Sequence, residues 1–161
     1  MSKRDGMVLT MLDVFTLCAR ECAVQMMQNA IYVQKELPNV QMRDALRRQA
    51  GEICDQLIGT KHDLITELFD LDELLPTGAS DATIGERVER MVRWARDDLL
   101  RLHELVVAIE DEGRRDPQAM IAGILVMESA GNVLNAFNRM QSAADGVLRA
   151  VQGCPLAGSL R

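Results

Sequence analysis

Apolar residues recur at every third or fourth position along four long stretches of the chain, and no stretch alternates as a half-buried strand does. This spacing places the apolar side chains on one face of a helix. Each proline restricts the residue before it to extended backbone, so prolines mark the boundaries between stretches. They stand at Pro38, Pro76, Pro117 and Pro155. The pattern predicts helices over about 5–36, 40–75, 82–112 and 117–151.

Residues that favour a helix start stand at three of these boundaries. Asn39 is the predicted N-cap of the second helix. The candidate caps of the third helix are Thr83, which begins a capping-box sequence, and its neighbours Ser80 and Asp81. An Asp-Pro pair at 116–117 predicts the start of the fourth, because proline suits the first helical turn.

Four helices of similar length and short connections constrain how the chain folds. A helix of about thirty residues is a rod of roughly 45 Å. Equal rods with short connections favour an all-α, antiparallel up-down-up-down four-helix bundle. A two-helix hairpin that dimerises into a bundle is the alternative, but each apolar stripe is wide enough for burial within one chain. We expect one bundle domain over residues 1–153 and a flexible tail over 154–161.

Composition narrows the classes of partner. The chain carries 18 Lys and Arg against 24 Asp and Glu, a net charge of −6, which argues against nucleic-acid binding. One Trp, one Tyr and three Phe leave little surface on which bases or sugars can stack. The polar start and the lack of a long apolar run predict no membrane span. The four cysteines do not form a secreted scaffold, so we expect reduced thiols and a cytoplasmic protein.

The sequence lacks the common catalytic motifs. It contains no GxGxxG, P-loop or GxSxG segment, which removes the usual evidence for nucleotide binding or a serine nucleophile. It also lacks CxxC, HExxH and ExxH, so neither a thioredoxin-like site nor a di-iron bundle site is predicted. These absences favour a protein that is not an enzyme.

One cluster of chemically active residues emerges from the expected topology. Cys18 and Cys22 lie one turn apart on the inner face of the first helix. A first turn centred near Pro38 brings Cys54 level with Cys22, and the second turn brings His103 level with Cys54. Thiolate and imidazole donors suit zinc or cuprous copper. The alternatives are ordinary core packing by the cysteines, or a disulfide between two of them, Cys22 and Cys54.

A second group suggests a ligand pocket. Gln25 and Asn29 on the first helix, and Asn138 and Gln141 on the fourth, lie near inner faces, where polar side chains need partners. They form either a hydrogen-bonded layer that fixes helix register or the polar wall of a pocket. Two further residues are candidates for the same pocket: Lys61 at the centre of an apolar face, and Met127 level with His103.

These observations lead to three functional hypotheses. The first is a non-enzymatic bundle that associates with itself, as a homodimer, or with another protein. The second is a bundle that binds zinc or cuprous copper through the Cys and His residues. The third is a bundle that holds a small apolar molecule beside mid-helix glycines such as Gly131.

Overall fold

The computed structural model describes residues 3–152, and in this part of the chain all regular structure is helical. The four long helices are α1 (Lys3–Glu36), α2 (Asp44–Leu74), α3 (Asp81–Arg115) and α4 (Met120–Gln152). Three short 3₁₀ turns, Leu37–Asn39, Leu75–Thr77 and Pro117–Ala119, precede the last three of them. The predicted tail at 154–161 lies outside the described residues.

The helices pack side by side in chain order, and α4 closes the ring against α1. This is the predicted up-down-up-down four-helix bundle, formed within one chain. Its axis is filled by aliphatic, methionine and phenylalanine side chains with less than 2% exposure, including Leu12, Phe15, Met26, Leu64, Met91, Leu105, Val126 and Met140. Burial of these continuous stripes is the main source of bundle stability.

The first connection differs from the prediction. Asn39 does not cap α2; it ends a 3₁₀ turn, and an extended segment then runs to Arg43 before α2 begins at Asp44. The guanidinium of Arg47 holds this longer connection by donating hydrogen bonds to the carbonyls of Leu37 (2.5 Å) and Val40 (2.9 Å). The connection therefore uses more residues than a turn centred on Pro38 would.

The other two helix starts are capped by side chains. Ser80, one of the three candidates, is the N-cap of α3, and its hydroxyl accepts a hydrogen bond from the Thr83 amide at 3.2 Å. The Asp116 carboxylate accepts from the Gln118 amide at 3.1 Å, so the Asp-Pro pair begins the last helical segment as predicted. Gly78 alone among the described residues has positive φ, at 76°, and it turns the chain between α2 and α3.

A buried carboxylate joins α2 to α3. Glu67 is 7% exposed, and its Oε1 accepts from Arg87 at 3.0 Å and from Arg90 at 2.6 Å. The Arg90 guanidinium also lies 5.6 Å from the centre of the Trp94 ring, which adds a cation–π contact. Since a carboxylate buried without cations is costly, this cluster selects one register between the two helices.

The last helical segment is the least charged. Pro117–Gln152 is long and apolar enough to cross a membrane by length and composition alone, contrary to the sequence-based expectation. That is weak evidence for a span, because the core helix of a bundle passes the same test, and 44% of its most apolar window is buried here.

We predict that Glu67→Ala lowers the free energy of unfolding by about 1–3 kcal/mol, because it leaves two arginines partly buried without their carboxylate. The measurement is urea denaturation followed by circular dichroism. Glu73→Ala, at an exposed position on the same helix, is the matched control and should change stability by less than about 0.5 kcal/mol. Equal effects of the two substitutions would contradict the proposed role of the cluster.

Candidate functional site

The cysteines of α1 and α2 do not meet. Gln34 donates to the Asp55 carboxylate at 2.9 Å, which places residue 34 of α1 level with residue 55 of α2. Ala30 and Val33 of α1 line one small cavity with Cys54, so Cys22, which precedes them by eight and eleven residues, lies two to three turns from the level of Cys54. At 1.5 Å per residue the two thiols are roughly 15 Å apart along the bundle. The predicted level of Cys22 and Cys54 is wrong, and a disulfide between them is excluded. The first connection, about four residues longer than expected, accounts for part of this offset.

His103 is level with Cys54 but faces another side of the bundle. The bonds from Arg87 and Arg90 to Glu67 place Cys54 at the height of residues 100–103 of α3. Cys54 points into the core, whereas His103 is exposed in the groove between α3 and α4. The structure therefore separates Cys54 and His103 from each other and from the Cys18–Cys22 pair of α1, where Cys18 is half-buried beside the groove between α1 and α4. Among the described residues no three His, Cys, Asp or Glu side chains are grouped to hold a metal ion.

Burial also suppresses the chemistry of the inner thiols. Desolvation raises the pKa of Cys22 to about 12, with a smaller contribution from the negative charge of Asp98. Desolvation likewise raises the pKa of Cys54 to about 11. The thiolate is the form that binds metals or attacks electrophiles, so both residues act as small apolar side chains at neutral pH.

The predicted polar layer exists, but with a different partner on α4. Asn29, 7% exposed, donates to the carbonyl (2.8 Å) and side-chain oxygen (3.0 Å) of Gln25. Its own oxygen accepts from Asn132 of α4 at 3.1 Å. Asn138 and Gln141 take no part in this network: Asn138 lies exposed beside α1 and Gln141 is half-buried. The layer fixes the register of α1 and α4, which is a structural role.

The six residues proposed for one ligand pocket are distributed over the bundle. Asn29 lines a small internal cavity, Asn138 a groove between α1 and α4, and Met127 a groove between α3 and α4. Gln25, Lys61 and Gln141 line none of these three, and Lys61 is half-buried on α2. The predicted pocket is therefore not assembled as one site.

The groove between α3 and α4 is one of two mostly apolar grooves that flank α4. It encloses about 460 Å³. Nine of its eleven lining residues are Leu, Val, Met, Phe, Ala or Gly, and the two ionisable ones are Arg96 and His103. Gly131 widens the groove, because it has no side chain and no heavy atom lies within 4 Å of the position that its Cβ would occupy. An apolar, partly open groove of this size suits an aliphatic surface more than a polar substrate.

The groove borders an apolar strip on the outside of α4, which the sequence analysis did not detect. Large side chains on this strip and on the adjoining edge of α3 are 43–63% exposed: Leu100, Val107, Met120, Ile121, Ile124, Met127 and Leu134. Between Pro117 and Gln152 the chain has four charged residues, at 128, 139, 145 and 149. That scarcity is the signal in the sequence, because a helix with one buried face normally carries charge on the other.

One buried titratable group remains. Asp98 of α3 is 5% exposed, and its Oδ2 has no hydrogen-bond partner among the described residues. The pKa of Asp98 is raised to about 6, mainly by desolvation; a hydrogen bond with Thr60 and the charge of Arg101 oppose the shift, and the charges of Asp97 and Asp63 add to it. Ionisation of this carboxyl therefore weakens the fold near neutral pH.

Comparisons with known proteins give no independent indication of function. No protein-family model, no curated protein and no solved structure matches the chain.

We predict that Asp98→Asn raises the free energy of unfolding by about 1–2 kcal/mol at pH 7.5. The pKa of Asp98 is higher in the folded than in the unfolded chain, so the cost of ionisation is absent below about pH 4 and complete above about pH 6. The stabilisation should therefore disappear at acidic pH. Urea denaturation at several pH values measures it.

The matched control is Asp70→Asn, which removes the same charge from an exposed position on α2 that does not act on Asp98 and should leave the stability nearly unchanged at both pH values. A stabilisation by Asp98→Asn that persists unchanged at pH 4 would contradict the assignment of the raised pKa to this residue.

Proposed function

We propose that the protein is a non-enzymatic bundle that acts by associating with a protein chain through the outside of α4 and the adjoining edge of α3. We call this surface the α4 face and define it by the seven exposed apolar residues between Leu100 and Leu134 named above. The observation that carries the proposal is their number and exposure on one side of the molecule. Apolar patches of this kind mark interaction sites on bundle surfaces.

The low charge of the α4 face supports this choice over a second apolar stripe on α1. Leu17, Val24 and Ile31 also recur at seven-residue spacing on the outside of α1 and are exposed. Charged residues such as Arg20 and Lys35 surround that stripe, whereas the part of the face that α4 contributes has few charges to desolvate on binding. Depletion of charge in the centre is typical of protein interfaces.

The absence of catalytic motifs and the raised pKa of both inner thiols support a binding role over a catalytic one. Three free cysteines, Cys18, Cys22 and Cys54, stand in the described chain, and a reducing compartment such as the cytoplasm suits them. We therefore keep the cytoplasmic location as part of the proposal.

We predict that a photo-crosslinking amino acid in place of Ile124 captures a discrete protein partner in cells that make the protein naturally. The same amino acid in place of Phe69 on α2 is the matched control, because the two side chains are 62% and 64% exposed. Gel analysis and mass spectrometry identify the captured chain. Capture at neither position, or equally at both, would contradict association through the α4 face.

A second candidate function is the binding of a small aliphatic molecule in the groove between α3 and α4. The observation that favours it is the volume of about 460 Å³ behind a mostly apolar lining. Arg96 at the rim gives this groove a preference for an anionic head group.

We predict that a fluorescent aliphatic carboxylate binds this groove and that Ala130→Phe, which fills it, weakens binding by about tenfold or more. Ala143→Phe is the matched control, because Ala143 is also half-buried but lines the groove between α1 and α4. A fluorescence titration measures both variants. No saturable binding to the parent protein, or equal loss in both variants, would count against this second candidate.

A further inference from the structure

We infer that the partner of the α4 face is a second copy of this chain, whose α4 packs antiparallel to the first around a two-fold axis. The inference rests on the proposed function and names its partner. Three features of α4 and its borders support it: the placement of two opposite charges, the placement of large and small residues, and the open surface at Gly131.

The two charges in the middle of α4 have no partner in their own chain. Glu128 and Arg139 are exposed, and neither makes an ion pair or a side-chain hydrogen bond within the described residues. They are eleven residues apart, which is close to three full turns, so both side chains leave the same side of the helix.

Their spacing is self-complementary. We place the two-fold axis between Val133 and Leu134, midway between Glu128 and Arg139. Measured along the helix, each of the two charged residues is then about 8 Å from the axis. In an antiparallel pair of helices, residues at equal distances on opposite sides of the axis face each other. Glu128 of each copy therefore lies against the partner's Arg139, and two symmetric ion pairs form.

Large and small residues are arranged about the same axis. Ile121 and Ile124, 63% and 62% exposed, lie toward the start of α4, while Ala143 and Gly146 lie at the matching positions toward its end. These small residues line the groove of about 520 Å³ between α1 and α4, together with Val14 of α1. Each protomer thus offers two protruding isoleucines and the concavity that receives them.

Gly131 allows the two helices to approach near the axis. A Cβ built at this position meets no atom within 4 Å, so the glycine is not required by packing inside the chain. A mid-helix glycine costs about 1 kcal/mol relative to alanine, and close contact with a second helix is the usual compensation. The two charges, the arrangement of large and small residues and the open surface at Gly131 therefore all favour a second copy of this chain as the partner.

The test is charge exchange across the proposed axis, with the full chain studied by sedimentation equilibrium. We expect the parent protein to dimerise at or below about 100 µM, and Glu128→Arg or Arg139→Glu each to weaken the dimer by about tenfold or more. The double variant should return the dissociation constant to within about threefold of the parent, because the pairs form again with reversed signs.

Glu52→Arg and Arg48→Glu are matched controls, since both residues are exposed on α2 and make no ion pair within the described residues. They should leave the dimer unchanged. Circular dichroism verifies that every variant remains helical.

A parent protein that stays monomeric at about 100 µM overturns the inference, as does a dimer whose charge reversals are not rescued in the double variant. The crosslinking result at position 124 distinguishes failure of this inference from failure of the proposed function. If photo-crosslinking at position 124 captures another protein while the chain stays monomeric, the α4 face is still an interaction surface. If it captures nothing, the proposed function fails as well.

Discussion

The register between antiparallel helices is the constraint on which the rest of this structure depends. Aliphatic stripes supply most of the stability, but such stripes are nearly uniform along a helix, and a shift by one turn still buries apolar area. A few polar contacts remove that freedom. Asn132 bonds to Asn29 between α4 and α1, and the carboxylate of Glu67 bonds to two arginines between α2 and α3. Each contact is satisfied in only one register, because a slipped helix would bury its polar groups unpaired.

The register also decides which chemistry the bundle can hold. Cys22 and Cys54 lie roughly 15 Å apart along the bundle, and burial of each raises the pKa of its thiol and keeps it protonated at neutral pH. The interior thus has little capacity for metal binding or nucleophilic catalysis. The feature that distinguishes the molecule is on its outside, where α4 exposes large aliphatic side chains with few charges beside them.

Fold and candidate site differ in how far the sequence could predict them. The four helices, their order and the cap at Asp116 follow from local patterns, and the structure agrees with them. For α3 the patterns left three candidate caps, and the structure selects Ser80. The start of α2 does not follow from such patterns. Asn39 has the right chemistry for a cap, but the bonds from Arg47 to the carbonyls of the connection stabilise a different path. The four-residue displacement of this start contributes to the shift of α1 relative to α2, and the rotation of α3 turns His103 away from Cys54, so the predicted Cys and His cluster does not form.

By itself, the sequence determined the fold class, because apolar periodicity and proline placement are local properties that each helix expresses independently. It also determined that α4 is poor in charge. Only the tertiary structure decided which polar residues meet, as Asn29 does with Asn132 and not with Asn138 or Gln141. It likewise decided that Ile121 and Ile124 are on the surface. The physical reason is that burial and pairing depend on the relative rotation and sliding of whole helices, which one connection and a few buried polar bonds can fix.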